Sequence, residues 1–271
     1  DPGGPGARKE VWSIVVNAGE IRDVAYRDVR DGNFFPWKLA FWGVGEDQRL
    51  LKSVARLPTL AAFEKAGVLV LSEGMQVRKG TVETAVAKGL EPHPELVGRY
   101  QLTVKPLARR RFLFRFPTDV LNPLPIEHAY VRKGRFSLPM SVSEPPHIIV
   151  SAARNFAVYS DDFIVVPARQ IGIAAKRDRV GLLKALALYL NSDFVNYHQF
   201  LTTPQLGIKR EVATLRALKA LPVPFRPDED NWTAWESLYA RLRQTEQAAT
   251  ERRQMDWYAV GTGAALLDEL N

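Results

Sequence analysis

Cysteine is absent from this 271-residue chain, which excludes disulfides, thiolate-ligated zinc and thiol nucleophiles. Histidine is sparse: His93, His128, His147 and His198 form no H-x-x-x-H or H-x-x-E pair, so paired imidazoles for a metal are lacking. No apolar run approaches the ~18 residues that span a bilayer, so no membrane partner is expected. The first residues, DPGGPGARKE, lack the apolar core of a signal peptide. They also lack an initiating Met, and the expectation is an excised or processed piece of a longer, cytoplasmic protein. No serine stands in a G-x-S-x-G elbow. Adenine-N6 methyl transfer needs an Asn/Asp/Ser-Pro-Pro-Tyr/Phe loop, whose polar groups accept the amino hydrogens while the ring stacks on an extruded base. The only Pro-Pro is EPPH at 144–147, and NPLP at 122–125 lacks both the second proline and the aromatic. No catalytic residue is therefore expected within the chain.

What is present is positive charge. The formal net charge is +7, which favours a polyanionic partner. Between Gly98 and Ser143 there are nine Lys or Arg against Asp119 and Glu127. That window holds the whole excess, and the remainder of the chain is balanced.

Periodicity sets out a mixed α/β (α+β) order. EVWSIVVN (10–17) reads as a strand, and FFPWKLAFWG (34–43), broken by Pro36, as a second extended segment. In GEDQRLLKSVARLP (45–58), Leu50, Leu51, Val54 and Leu57 fall at helical spacing, with Glu46 and Asp47 at the start and Pro58 beyond the end. A short helix through Leu60 and Phe63 stops at Gly67. Short strands with Gly and Pro punctuation follow: VLVLSEG, YQLTVKPL, RFLFRF, HAYVRKG, PPHIIVSAA, FAVYSDDFIVVP and IGIAA. Val180, Leu183, Leu186, Ala187, Leu190, Phe194 and Tyr197 then trace one helical apolar face. A helix near 210–220, an extended 221–225 and a polar hinge RPDED come next, with Asp230 placed to cap a long helix. That helix opens with Trp232, Trp235, Leu238, Tyr239 and Leu242 and continues polar on all sides, the pattern of a spacer or docking element. The divisions expected are an α/β lead-in at 1–67, a strand-rich domain at 68–225 and a helical segment at 226–271.

Four constellations bear on chemistry. Phe41-Trp42-Gly43-Val44-Gly45 matches the F-x-G-x-G string of S-adenosylmethionine loops. Such a loop follows a buried strand and has an acid about 20 residues on; Glu64 lies in range but on a charged helix face, which favours a plain strand-to-helix turn. Asp161 and Asp162 in YSDDFIVV resemble a nuclease carboxylate pair but lack a placed Glu-x-Lys, and read as a turn. In RRRFLFRF (109–116), strand alternation sets Arg111, Leu113 and Arg115 on one face and Phe112, Phe114 and Phe116 on the other; Arg109, Arg111 and Arg115 are counted among the candidate DNA contacts. The arginine face meets either phosphates or solvent. Four turn clusters combine Arg, Lys or Gln with glycine: QVRKG, VRKGR, ARQ and GIKR. Their candidate base or phosphate contacts are Arg78, Lys79, Arg132, Lys133, Arg135, Arg169, Gln170, Lys209 and Arg210, since Arg and Gln pair bidentately with guanine and adenine edges.

PWKLAFWGVGEDQRLLKSVARLPTLAAF followed by SEGMQ resembles the region C-terminal to the catalytic domain in adenine-N6 DNA methyltransferases of restriction–modification and phage-defence systems. VGLLKALALYLNSDFVNYHQF resembles the Leu-Asn-Ser helix of their target recognition domains, and TTPQLGIKREVATLRALKALPVPF their closing Pro-x-Pro segment. GAALLDELN resembles the start of a motif that continues further. The resemblance implies a recognition domain that reads double-stranded DNA and a catalytic methyltransferase domain in the same chain or a partner subunit. It implies S-adenosylmethionine for that other domain and no cofactor here. The family's methyl-transfer residues have no counterpart in this sequence. Two other readings stand beside this one: a self-contained S-adenosylmethionine enzyme or nuclease, and a protein-interaction module docking through Trp232, Trp235 and Tyr239.

Overall fold

The computed structural model describes residues 23–31, 35–79, 83, 87–103, 114–124, 129–132, 140–154, 156–204, 206 and 214–268, without the side chains of 29, 79, 129, 132, 250 and 252–268. It is a mixed α/β fold. Helices α1 (Tyr26–Arg30), α2 (Phe35–Trp42), α3 (Gly45–Val54) and α4 (Leu60–Lys65) come first. Among the described residues ten strands follow: β1 (Leu69–Glu73), β2 (Val77–Lys79), β3 (Leu90–Pro92), β4 (Tyr100–Leu102), β5 (Leu121–Pro123), β6 (Ala129–Arg132), β7 (His147–Val150), β8 (Ala157–Ser160), β9 (Ile164–Val165) and β10 (Ile171–Ala175). Helices α5 (Val180–Leu190), α6 (Asp193–Thr202), α7 (Leu215–Lys219) and α8 (Thr233–Asp268) close the chain.

An antiparallel sheet ordered β1-β10-β7-β8 is the centre of the molecule. Period-2 alternation gives it two apolar faces. Leu69, Leu71, Ile171, Ile173, Ile148, Val150, Ala157 and Tyr159 face a core shared with α4, α5 and the start of α8. Ile149 and Val158 face a second core with Leu102, Phe116, Val120, Val142 and Ile164. Behind it lie two three-stranded sheets, β2-β6-β3 and β5-β4-β9, joined through Met75, Leu96, Leu124, Val131 and Val165. The arrangement is helices, central sheet, then small sheets.

Several local expectations change. Residues 35–42 are helical rather than extended, because Pro36 sits in the first turn, where a missing N–H costs nothing. The apolar face from Val180 to Tyr197 is split into two helices. Asn191 and Ser192 intervene, and Ser192 Oγ caps α6 by accepting the Val195 N–H at 3.4 Å. Asp230 does not cap α8; it takes Arg179 Nη1 at 2.7 Å. Residues 114–116 are not paired as a strand, yet alternation survives: Phe114 and Phe116 are buried and Arg115 is exposed. The expected strand at 10–17 lies outside the described residues.

The extended closure is accounted for in detail. Leu60 N–H donates to Leu221 O at 3.1 Å and Val223 N–H to Pro58 O at 2.8 Å. Leu221, Val223 and Phe225 alternate into the main core. The prolines at 222 and 224 occupy the positions that donate nothing, which is where a strand edge tolerates them. The same core takes in Leu60, Phe63, Trp232 and Tyr239, so it crosses both boundaries drawn at 67 and 226.

Candidate nucleic-acid interface

The turn SEGMQ and the loop 167–170 are laced together by backbone alone. Gly74 N–H donates to Gln170 O at 2.8 Å, Met75 N–H to Val166 O at 2.9 Å, and Ala168 N–H to Met75 O at 2.9 Å. A Cβ at Gly74 would meet Pro167 O at 2.2 Å, so only glycine allows this approach. Two of the expected basic clusters leave from this seam. Arg78 is exposed in β2, opposite Tyr130 of β6. Arg169 is exposed at the tip of its loop with φ +73°, a left-handed conformation that a residue with a Cβ adopts at a cost of about 1–2 kcal/mol. Among the described residues nothing partners its guanidinium. Lys79 and Arg132 lie at the ends of β2 and β6, paired with Ala129 and Leu90 respectively.

Gln170 is a correction. It is buried, and its Oε1 accepts the Ala152 N–H at 3.1 Å. Its carboxamide fastens one loop to another and is not free for a base edge. Arg109, Arg111, Lys133, Arg135, Lys209 and Arg210 lie outside the described residues.

Arg115 lines an open cleft of about 820 Å³. The cleft is bounded by β4, the 114–118 segment, the β8–β9 turn and α8, which bring Arg99, Arg115 and Arg243 to one space. Arg99 stacks its guanidinium 4.7 Å from the Phe163 ring centre. Asp161 and Asp162 line the same cleft. The Tyr159 hydroxyl donates to Asp161 Oδ1, and burial first, then this bond, pushes the Tyr159 phenol far up. Ser160 Oγ accepts the Asp162 N–H at 3.0 Å, which makes the Asp-Asp pair a hydrogen-bonded turn. Among the described residues no group of three His, Asp or Glu could hold a metal ion.

Gly43 lies between α2 and α3 and Gly45 opens α3, so the expected strand-to-helix turn is a helix-to-helix one. A Cβ at Gly43 would strike Leu39 Cδ1 at 2.5 Å, and Gly45 faces open space. Val44 N–H is taken by Asp47 Oδ2 at 2.6 Å, and Glu46 adds a second carboxylate at the start of α3. These residues do not fit S-adenosylmethionine: no strand end leads into the glycines, and the exposed donor is occupied. The aromatics of α8 are also committed. Tyr239 is 2% exposed and packs edge-on to Phe114 at 5.0 Å, while Trp235 packs on Phe225 at 5.1 Å. They hold α8 to the core.

Buried polar groups that the sequence does not single out prove structural. Arg154, at φ +58°, donates through Nε to Gln199 Oε1 at 2.6 Å, Nη1 to Ser151 O at 3.0 Å and Nη2 to Thr214 O at 3.3 Å. Burial lowers its guanidinium to about 10. Lys38 is 2% exposed and donates to Phe200 O, to Thr203 O at 2.7 Å and to Leu206 O at 2.7 Å.

No family model matches the chain, and no curated protein matches it. Among the described residues no helix is long and apolar enough to cross a membrane.

Proposed function

We propose that this chain is a sequence-specific double-stranded DNA-binding module, the target recognition part of an adenine-N6 DNA methyltransferase or methyltransferase–restriction protein of a defence system. Methyl transfer and its S-adenosylmethionine belong to a catalytic domain in the same protein or a partner subunit. The observation that carries the reading is Arg169: a guanidinium without a described partner, displayed on a left-handed backbone in a loop pinned to the neighbouring turn by Ala168 N–H to Met75 O and Gly74 N–H to Gln170 O. A residue kept strained and unpaired at a loop tip points to an external ligand. The concentration of the net charge in residues 98–143 supports an anionic one. Lys and Arg set the register on phosphates, and loop side chains read base edges.

Fluorescence anisotropy of labelled random-sequence duplex, titrated across a salt series, tests this. Binding should fall steeply with salt. Arg132→Ala/Lys133→Ala/Arg135→Ala, and separately Arg78→Ala, should flatten the slope by roughly 0.9 for each phosphate no longer neutralised. Absence of binding at low salt overturns the proposal. Selection of preferred sequences from a random pool then tests specificity.

A further inference from the structure

We infer that the cleft between β4, the β8–β9 turn and α8 is a binding site for a single nucleotide whose base carries an exocyclic amine. This rests on the nucleic-acid reading of the basic surface, and adds to it a defined pocket. Three features of the cleft match the three parts of such a ligand. Arg99, Arg115 and Arg243 converge from three separate segments and are exposed; planar guanidinium forks are suited to phosphate oxygens. The half-exposed Tyr100 supplies aromatic surface, on which any base can stack. Asp161 and Asp162 line the same cleft and supply carboxylate acceptors, which take the amine of cytosine and, by the same chemistry, that of adenine. A site for phosphate alone has no use for two carboxylates, which repel it. A site for a cationic ligand has no use for three arginines. The volume of about 820 Å³ falls in the usual small-molecule range of roughly 300–1,000 Å³. Phe114 and Phe116, buried on either side of Arg115, anchor the wall in two different cores, so the arginine is presented from fixed backbone.

Calorimetric titration of the full chain with dAMP, dCMP, dTMP and inorganic phosphate tests the site, with the duplex titration run in parallel. Saturable binding of dAMP or dCMP at least tenfold tighter than of dTMP and of phosphate is expected. Arg115→Ala/Arg243→Ala should weaken it tenfold or more, and Asp161→Ala/Asp162→Ala, which removes the acceptors, should remove the preference for amino bases. These side chains are exposed, and unchanged melting of each variant confirms folding. Duplex binding without saturable nucleotide binding overturns the pocket while leaving the DNA reading intact. Equal binding of phosphate and all three nucleotides overturns the base-recognition part. Nucleotide binding without duplex binding upholds the pocket and overturns the module reading.

Discussion

The carboxamide of Asn191 is hydrogen-bonded to both backbone groups of Ala157: Oδ1 accepts the Ala157 N–H at 3.0 Å, and Nδ2 donates to Ala157 O at 2.7 Å. The side chain acts as one more peptide unit at the edge of β8. The same Nδ2 donates to Ala187 O at 2.7 Å, so it also satisfies a carbonyl at the end of α5. One residue thus closes a helix, pairs a sheet edge and sets the break before α6.

Replacing Asn191 separates these roles. Asn191→Asp keeps the acceptor and loses the donor, leaving Ala157 O unpaired while Ala187 O keeps the Asn191 N–H; Asn191→Leu loses both side-chain roles. Each unmade bond at a desolvated site costs about 1–3 kcal/mol. Urea denaturation should show a loss of at least that size for both variants. A change below about 0.5 kcal/mol for Asn191→Asp would show that the Ala157 pairing is incidental.

Lys38 predicts a more local failure. Its ammonium gathers three carbonyls at the end of α6, where the helix dipole is negative, and lies 4.5 Å from the Phe200 ring centre. Tyr197 OH donates to Asp47 Oδ2 at 2.8 Å as a second tie between the lead-in helices and α6. Lys38→Met retains the apolar stem and removes the donors. Hydrogen exchange should then accelerate in 197–206 and in α2, with β7 and β10 protected as before. Uniform acceleration throughout the chain would place Lys38 in the global core instead.

How much of the fold is legible in the sequence depends on the reach of the interactions. The central strands β7 and β10, helix α3 and the closing 221–225 are readable because alternation, helical spacing and proline positions are local. Residues 35–42 read as extended on their aromatic content, while the docking of Lys38 on α6, about 160 residues further on, decides for helix. Asn191 is hidden inside a continuous apolar period; its partner Ala157 is 34 positions away. At the site, Arg78 and Arg169 are visible as loop chemistry. The burial of Gln170 is not, because it depends on Ala152 across a neighbouring loop. Nothing in the sequence brings Arg99, Arg115 and Arg243 together, since they come from three segments that only the fold joins.

Acid sensitivity follows from two buried imidazoles. Burial pushes His198 down to about 4 and also lowers His147, whose Nδ1–H donates to Val142 O at 2.7 Å. Unfolded histidine titrates near 6.5, so between these values the unfolded chain holds more protons than the folded one. The contribution is whole above about pH 6.5 and is lost as pH falls toward 4. For His198 alone the linkage amounts to about 2 kcal/mol between pH 7.5 and 5.0. Denaturation at those two pH values should give a smaller difference in His198→Gln than in the unaltered chain. Identical slopes would show that this group does not titrate on unfolding.

Gly181 fixes the approach of the long helix. A Cβ there would meet Trp232 Cβ at 2.4 Å and Cγ at 2.7 Å. Alanine favours a helix by about 1 kcal/mol over glycine, yet overpacking costs about 1–3 kcal/mol, and here backbone near both contacts limits relief. Gly181→Ala should therefore lower stability and raise the solvent exposure of Trp232, read as a red shift in tryptophan emission. A stabilised variant with unshifted emission would show that α8 can move aside freely.

Arg169 offers the cleanest separation of stability from binding. Its backbone is left-handed, where glycine is at ease, and its exposed side chain has no described partner to lose. Arg169→Gly relieves backbone strain but also adds freedom to the unfolded chain, so melting should stay level or rise by no more than about 1 kcal/mol. Duplex affinity should nevertheless fall, with a shallower salt dependence if the guanidinium meets a phosphate. It should fall with the slope unchanged and selectivity relaxed at one base pair if it meets a guanine edge. Arg154, also left-handed, is the control: its guanidinium holds Gln199, Ser151 and Thr214, so Arg154→Gly should destabilise by several kcal/mol. If Arg169→Gly destabilised the fold in the same way, the arginine would be a structural residue and the strain at its backbone would have no bearing on DNA.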